Sequence, residues 1–135
     1  MRLEPERCKP RLDLDADGAV HGSHVGYGAP HRRRFVLSAQ RLEIEDVLDL
    51  DADRWLVFSL DPAVEIRELA VADGRAECTL VHAAGKRVRL AVQGVDAAKQ
   101  GEGSFGVGYG EPQRTANVCM RMSRPDTRAV FTWDP

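Results

Sequence analysis

Cysteine is scarce in this chain of 135 residues. The three cysteines, Cys8, Cys78 and Cys119, lie far apart, and there is no C-x-x-C pair. An odd and sparse set excludes a disulfide framework and a cysteine-based zinc or redox motif. Ordinary thiols are expected, with Cys78 and Cys119 in the core because both fall within apolar alternation.

Long apolar runs and a large charge excess are also missing. No stretch approaches ~18 apolar residues, so no membrane span is predicted. The segment 1–5 has no apolar centre typical of a signal peptide. As written, the chain is expected in the cytoplasm; within a longer exported chain it would be periplasmic or at the cell surface. The net charge of −2 provides no bulk attraction to nucleic acid.

Familiar catalytic motifs are absent too. There is no G-x-S-x-G and no phosphate loop, and Gly106-x-Gly108-x-Gly110 lacks the strand–helix context of a nucleotide site. Asn117 is the single asparagine. No cofactor is therefore expected.

What the sequence does contain is alternation with a period of two, interrupted by Asp-Gly pairs at 17–18 and 73–74. These features predict antiparallel strands joined by tight turns, and no helical period competes with them. Nine or ten short strands at about ten-residue spacing are typical of an antiparallel β-sandwich. We expect a flexible lead-in at 1–10 and one all-β domain at 11–135.

Several local predictions follow from the same pattern. The apolar run 55–60 indicates a strand buried on both faces, with Trp55 in the core, as is expected for Trp133. Segment 64–69 could be a strand or the start of a helical turn, and 93–104 is predicted to be a loop. The predicted core consists of Phe35, Leu37, Leu42, Ile44, Leu56, Phe58, Leu80, Leu90, Val118, Met120 and Phe131.

A hairpin at 31–46 concentrates the charges. His31, Arg33 and Phe35 share the face predicted to be buried, whereas Arg32 and Arg34 share the other. Arg33 then needs a carboxylate from the return strand, and Glu43, Glu45 and Asp46 are available there; Glu43 or Glu45 is preferred. The arginines either form a ladder with these carboxylates or bind carboxylates and sulfates of an acidic sugar chain.

Two patterns invite a metal interpretation. Asp13, Asp15 and Asp17 match the first half of a calcium loop, but His24 occupies the position of the bidentate glutamate. His21 and His24 are three residues apart, so an extended strand points them to opposite faces. A solvated turn is the preferred interpretation, and no metal site is expected.

One group of motifs resembles a known family. Gly26-Tyr27, then His31-Arg32-Arg33, then Leu42-Glu43-Ile44-Glu45-Asp46 is similar to a hairpin in the second half of the C-terminal β-domain of heparinase II/III-like proteins, which are bacterial polysaccharide lyases. The stretch 57–62 is similar to a strand end of that family. The resemblance covers about residues 11–133.

The resemblance implies handling of acidic polysaccharides, which the whole lyases cleave by β-elimination. In the family this chemistry is shared between a helical toroid and the first half of the β-domain, which brings a His-x-His-x-Asp segment. The sequence has neither, because His21-Gly22-Ser23-His24 has the wrong spacing. We expect no activity from the isolated chain, and a toroid domain or partner chain beside it.

The candidate ligand-binding residues are Tyr27, His31, Arg32 and Arg34, with no catalytic residue assigned. Tyr27 and His24 are residue types that could form an acid/base pair, but packing of Tyr27 at the hairpin end is preferred. The alternative function is a non-catalytic carbohydrate-binding or structural β-sandwich domain.

Overall fold

The computed structural model describes residues 9–106 and 110–135, with the side chain of residue 105 left aside. The described chain is all β, with eleven antiparallel strands in two sheets. No described helix is long and apolar enough to cross a membrane. Cys8 and most of the predicted lead-in lie outside the described residues.

The two sheets differ in size. The large sheet has the order β1-β2-β3-β4-β11-β8-β7-β6, and the small sheet has the order β5-β10-β9. The strands are β1 (Arg11–Leu14), β2 (Val20–His24), β3 (His31–Ser38), β4 (Arg41–Leu48), β5 (Trp55–Ser59), β6 (Val64–Ala72), β7 (Arg75–His82), β8 (Arg87–Gln93), β9 (Val95–Gly106), β10 (Pro112–Met122) and β11 (Asp126–Trp133).

The core lies between the small sheet and the middle of the large one. Its inner side chains include Leu90 and Val92 from β8, and Val118 and Met120 from β10, all with no exposed surface. Period-two alternation produces this layer because successive side chains point to opposite faces of a sheet. Cys78 also belongs to the core, where burial raises the pKa of its thiol to about 11.

Most of the predicted core is confirmed, but Leu37, Trp55, Cys119 and Trp133 are exceptions. Leu37 is 71% exposed, because its strand end is left uncovered by the small sheet. Trp55 is 38% exposed. Its strand, β5, lies at the edge of the small sheet and alternates between buried Leu56 and exposed Val57, so the prediction of burial on both faces is wrong.

The predicted loop at 93–104 is mostly strand β9, which pairs with β10 along its length. Glycines obscured it, because glycine is depleted in ordinary strands. Here they permit close cross-strand packing: a Cβ on Gly103 would come within 2.9 Å of the Asn117 amide, and one on Gly101 within 3.0 Å of Cys119 Sγ.

The ambiguous segment 64–69 belongs to strand β6, which is interrupted by a bulge. The register with β7 shifts between Arg67 and Ala70, and Glu68 adopts a positive φ of 57°. A bulge inserts extra residues and so breaks the alternation. This explains why the pattern there is typical of neither a clean strand nor a helix.

Candidate functional site

A cleft of about 400 Å³ opens where the edge strand β5 passes the inner face of β3 and β4. The size is within the range typical of ligand sites. One wall comes from the large sheet and carries Tyr27, His31 and Arg33. The opposite wall comes from β5 and the segment before it, and carries Asp53, Arg54, Trp55, Leu56 and Val57.

Beneath the large-sheet wall lies a buried carboxylate. Asp46 is 1% exposed, and its Oδ1 accepts hydrogen bonds from Arg33 Nε at 2.7 Å and from His31 Nε2 at 2.8 Å. Strand register explains the arrangement: Arg33 faces Asp46 across β3 and β4, and His31 lies two residues earlier on the same face. The second oxygen, Oδ2, is buried without a protein partner.

The network continues from His31 to a second histidine. His31 Nδ1 lies 3.2 Å from His24 Nε2, and the backbone N–H of Gly26 donates to His24 Nδ1 at 3.1 Å. Because Nδ1 of His24 accepts, a neutral His24 carries its proton on Nε2 and donates to His31. His31 then donates from Nε2 to Asp46. The three hydrogen bonds that link Gly26, His24, His31 and Asp46 are therefore all donated towards the carboxylate.

This geometry disfavours a charge on His24. Partial burial, and secondarily the positive charge that His31 can carry, lower the pKa of His24 below its ordinary value. A proton added at Nδ1 would also point at the Gly26 N–H, which is itself a donor. His24 is therefore held in its neutral form at neutral pH.

Solved structures with the same architecture identify the fold. A heparinase III gene product matches with a TM-score of 0.64 and 14% identity over 91% of this chain. The heparan sulfate lyase HepC from Pedobacter heparinus matches with a TM-score of 0.65 and 11% identity over 93% of this chain. The chain has the fold of a part of heparinase III.

The heparinase-like fold predicted from the hairpin motifs is therefore confirmed. The chain spans 21% of each of the two lyases, so it corresponds to a portion of them. At 11% and 14% identity the likeness is one of fold. No protein-family model matches the chain, and no curated protein matches it in sequence.

Within the heparinase-like fold, the four predicted ligand-binding residues occupy two places. Tyr27 and His31 line the cleft. Arg32 and Arg34 lie on the outer face of the same sheet, where Arg34 lies 3.5 Å from Asp17 and 3.9 Å from Glu45. Alternation along β3 separates the pairs, since neighbouring residues point to opposite faces.

The partner of Arg33 is also corrected. The sequence favours Glu43 or Glu45, but both lie on the outer face, and the carboxylate opposite Arg33 is Asp46. A hairpin turn one residue shorter than predicted, Ala39-Gln40 rather than 38–40, sets this register. Arg33 therefore does form the predicted cross-strand ion pair of the hairpin, with Asp46 as its carboxylate.

Sequence reasoning missed the second wall of the cleft. Arg54 donates to the carbonyl oxygen of Leu48 and so holds the β4–β5 connection in place. Trp55 lies beside it with Lys99 Nζ 4.8 Å from its ring centre, a cation–π contact. The sequence signal for this wall was the pair Arg54-Trp55 at the start of the apolar run 55–60.

The metal patterns resolve into hydrogen bonds. Asp15 Oδ2 lies 2.6 Å from His21 Nε2, and Asp13 accepts from Arg11 at 2.7 Å. His21 and His24 do not converge, as the strand period predicted. Across the described residues, no three histidine, cysteine or acidic side chains are grouped so that they could hold a metal ion.

Proposed function

We propose that this domain forms one wall of a binding site for an acidic polysaccharide, and that it does not cleave the polymer by itself. The observation that carries the proposal is the cleft, which arginine and aromatic side chains line on a heparinase-like fold. The rest of a larger lyase, or a partner chain, would cover the open side of the cleft and supply the catalytic groups.

The cleft has the chemistry that such a polymer requires. Arg33 uses Nε for Asp46, and its side chain remains 36% exposed, so its terminal nitrogens can reach a ligand carboxylate or sulfate. Tyr27 is 58% exposed and Trp55 is 38% exposed. Aromatic rings of this kind present an apolar face to a sugar ring and a polar edge to water.

The histidines in the network support a structural role over a catalytic one. A lyase base must reach the proton that it removes. Both nitrogens of His24 and both of His31 are within hydrogen-bond distance of partners inside the protein. The network therefore holds the cleft wall in shape, which is the task of a supporting shell beneath a binding surface.

Binding can be tested by calorimetric titration of the domain with heparan sulfate and with uncharged dextran, at low and high salt. Heparan sulfate should bind weakly, and salt should weaken it further, since exposed ion pairs contribute only about 0–1 kcal/mol each. Tyr27→Ala/Trp55→Ala should reduce binding. Leu12→Ala/Leu37→Ala, which removes exposed apolar side chains elsewhere, should not.

The predicted role of Arg32 and Arg34 can be tested in the same titration. If the cleft is the site, Arg32→Ala/Arg34→Ala should have little effect, because both residues lie on the opposite face of the sheet. A larger loss for this pair than for the cleft pair would place the site on the outer face. Binding that responds to neither pair would contradict the proposal.

Cleavage is measured separately, as the rise in ultraviolet absorbance when unsaturated uronate forms from heparan sulfate or alginate. We expect no turnover by the purified domain. Turnover that survives purification and is lost in Tyr27→Phe would show that Tyr27 is catalytic and would overturn the non-catalytic assignment.

A purely structural or interaction role is favoured by a different observation. Leu12 and Leu14 on β1 are 75% and 73% exposed. Register with β2 and β3 places them on the same face as Arg33 and Phe35, beyond the edge of the small sheet. A helical toroid domain or partner chain resting on this face would cover them. Absence of any polysaccharide binding would favour this function.

A further inference from the structure

The outer face of the large sheet carries a compact group of arginines far from the cleft. Arg41, Arg75, Arg89 and Arg128 line a groove of about 360 Å³ across β4, β11, β8 and β7. Their side chains are between 46% and 67% exposed. The sequence did not reveal the group, because its members are up to 87 positions apart in the chain and only the strand order brings them together.

Two glutamates organise these arginines. Glu43 accepts from Arg41 and Arg128, and Glu77 accepts from Arg75 and Arg89. All four carboxylate oxygens are engaged in this way. Hydrogen bonds from Arg128 and Arg75, respectively, are the main causes that lower the pKa of Glu43 and of Glu77. Both glutamates therefore stay ionised and orient the guanidinium groups above the sheet.

The guanidinium groups retain unused donors. Each offers about five N–H donors, whereas the four together make five hydrogen bonds to the two glutamates. Four arginines against Glu43 and Glu77 leave two excess positive charges in a chain whose net charge is −2, and Glu45, which faces Arg128 across β4 and β11, offsets part of this excess. A ladder that served only to hold strands together would not need this excess.

The arrangement has approximate two-fold symmetry about the sheet normal. Val130 pairs with Ala91 at its centre, Glu43 and Glu77 flank this pair, and Arg128 and Arg89 lie diagonally on either side. The floor is thus small and apolar, while donors rise from both sides. A flat ring could rest on such a floor with anionic groups pointing to either side.

We propose that this groove is a second binding site, separate from the cleft, for the sulfate and carboxylate groups of an acidic polysaccharide. The choice of polymer rests on the proposed function, whereas the anion-binding chemistry rests on the groove alone. Guanidinium forks match carboxylate and sulfate oxygens in pairs. With one site on each face of the sheet, the domain could hold two segments of polymer.

The test is titration with a heparin-derived hexasaccharide, followed by the amide chemical shifts of the intact domain. Arg89→Gln/Arg128→Gln removes one arginine from each side of the groove. Arg67→Gln/Arg114→Gln is the matched control, since it removes the same charge from β6 and β10, at residues that line neither the groove nor the cleft. The groove variant should bind roughly five- to tenfold more weakly at low salt. Its folding is verified by its amide spectrum and melting temperature.

The shifts distinguish the two sites. If the ligand shifts the amide signals of Ala91 and Val130, and these shifts disappear in the groove variant, the groove is a binding site. This conclusion does not depend on the shifts at Tyr27 and Trp55. Perturbation confined to the cleft residues, or equal weakening in the groove and control variants, would overturn this proposal and leave the cleft proposal standing. A parallel titration with inorganic sulfate should shift the same groove amides at higher concentration; failure to do so would also count against it.

Discussion

Arg33 and Asp46 face each other on neighbouring strands, and Arg33 Nε donates to Asp46 Oδ1 at 2.7 Å. The carboxylate is 1% exposed, while the guanidinium extends towards the cleft and is 36% exposed. The pair therefore joins the interior of the hairpin to the surface proposed to meet a ligand. His31 donates to the same oxygen, so one buried group orients two side chains of the cleft wall.

Replacing this carboxylate should destabilise the domain strongly. Asp46→Asn removes the charge and leaves Arg33 without its ionic partner, which should lower the free energy of unfolding by about 3 kcal/mol. Glu45→Gln is the control, because Glu45 lies on the outer face and is 42% exposed. That change should stay within about 0.5 kcal/mol. Denaturant unfolding measures both, and equal losses would contradict the role assigned to Asp46.

Stability should depend on pH through His24. Its pKa is lowered in the folded state from 6.5 by burial and by His31, so the unfolded chain binds the proton more tightly. The stability contribution is complete above pH 6.5, and it falls as the pH drops from 6.5 towards the lowered pKa. His24→Gln should flatten this part of the profile of unfolding free energy.

The control for this pH effect is His82→Gln, which removes a histidine outside the Asp46 network. The domain should then retain its loss of stability below pH 6.5. A profile unchanged in His24→Gln, or flattened equally by both substitutions, would show that His24 is not responsible.

The alternation of β5 makes a prediction about neighbouring residues. Leu56 is 5% exposed and packs in the core, so Leu56→Ala should cost about 2–5 kcal/mol of unfolding free energy. Val57 is 53% exposed, and Val57→Ala should cost less than about 0.5 kcal/mol. Thermal melting of the two variants compares them directly. A reversed order would mean that β5 is shifted by one residue.

A comparison of two glycine positions distinguishes the cost of backbone strain from the cost of a steric clash. Gly85 and Gly94 have nearly the same positive φ, 86° and 87°. A Cβ on Gly85 meets nothing within 4 Å, whereas one on Gly94 would lie 2.5 Å from the carbonyl oxygen of Asp126. Gly85→Ala should therefore cost about 1 kcal/mol, and Gly94→Ala about 1–3 kcal/mol more. Similar unfolding midpoints for both would refute the close approach.

Much of the fold could be predicted, because strand alternation is a local property. The hairpin of β3 and β4, the turn at Gly74 and most of the core follow from side chains two residues apart. The errors have one kind of cause. The sequence pattern does not reveal strand β9, because its glycines leave room for the side chains of Asn117 and Cys119 on β10. It predicts a buried Leu37, because local alternation does not contain where the small sheet ends.

The candidate site also has one part that local rules predict and one part that they do not. The sequence by itself determined which face of β3 each residue occupies, because that depends only on the pleat. Once a hairpin is assumed, the pleat therefore separates His31 and Arg33 from Arg32 and Arg34. Residues of the hairpin are close in the chain, so local rules bring them together.

Only the tertiary structure decided that β5 passes beside the hairpin and brings Trp55 to the cleft that Arg33 also lines. It also decided that β11 lies between β4 and β8, which brings Arg128 and Arg89 together over Val130 and Ala91. Strand order is set by how well whole sheets bury their apolar faces. That is a sum over the entire chain, and no local pattern of residues contains it.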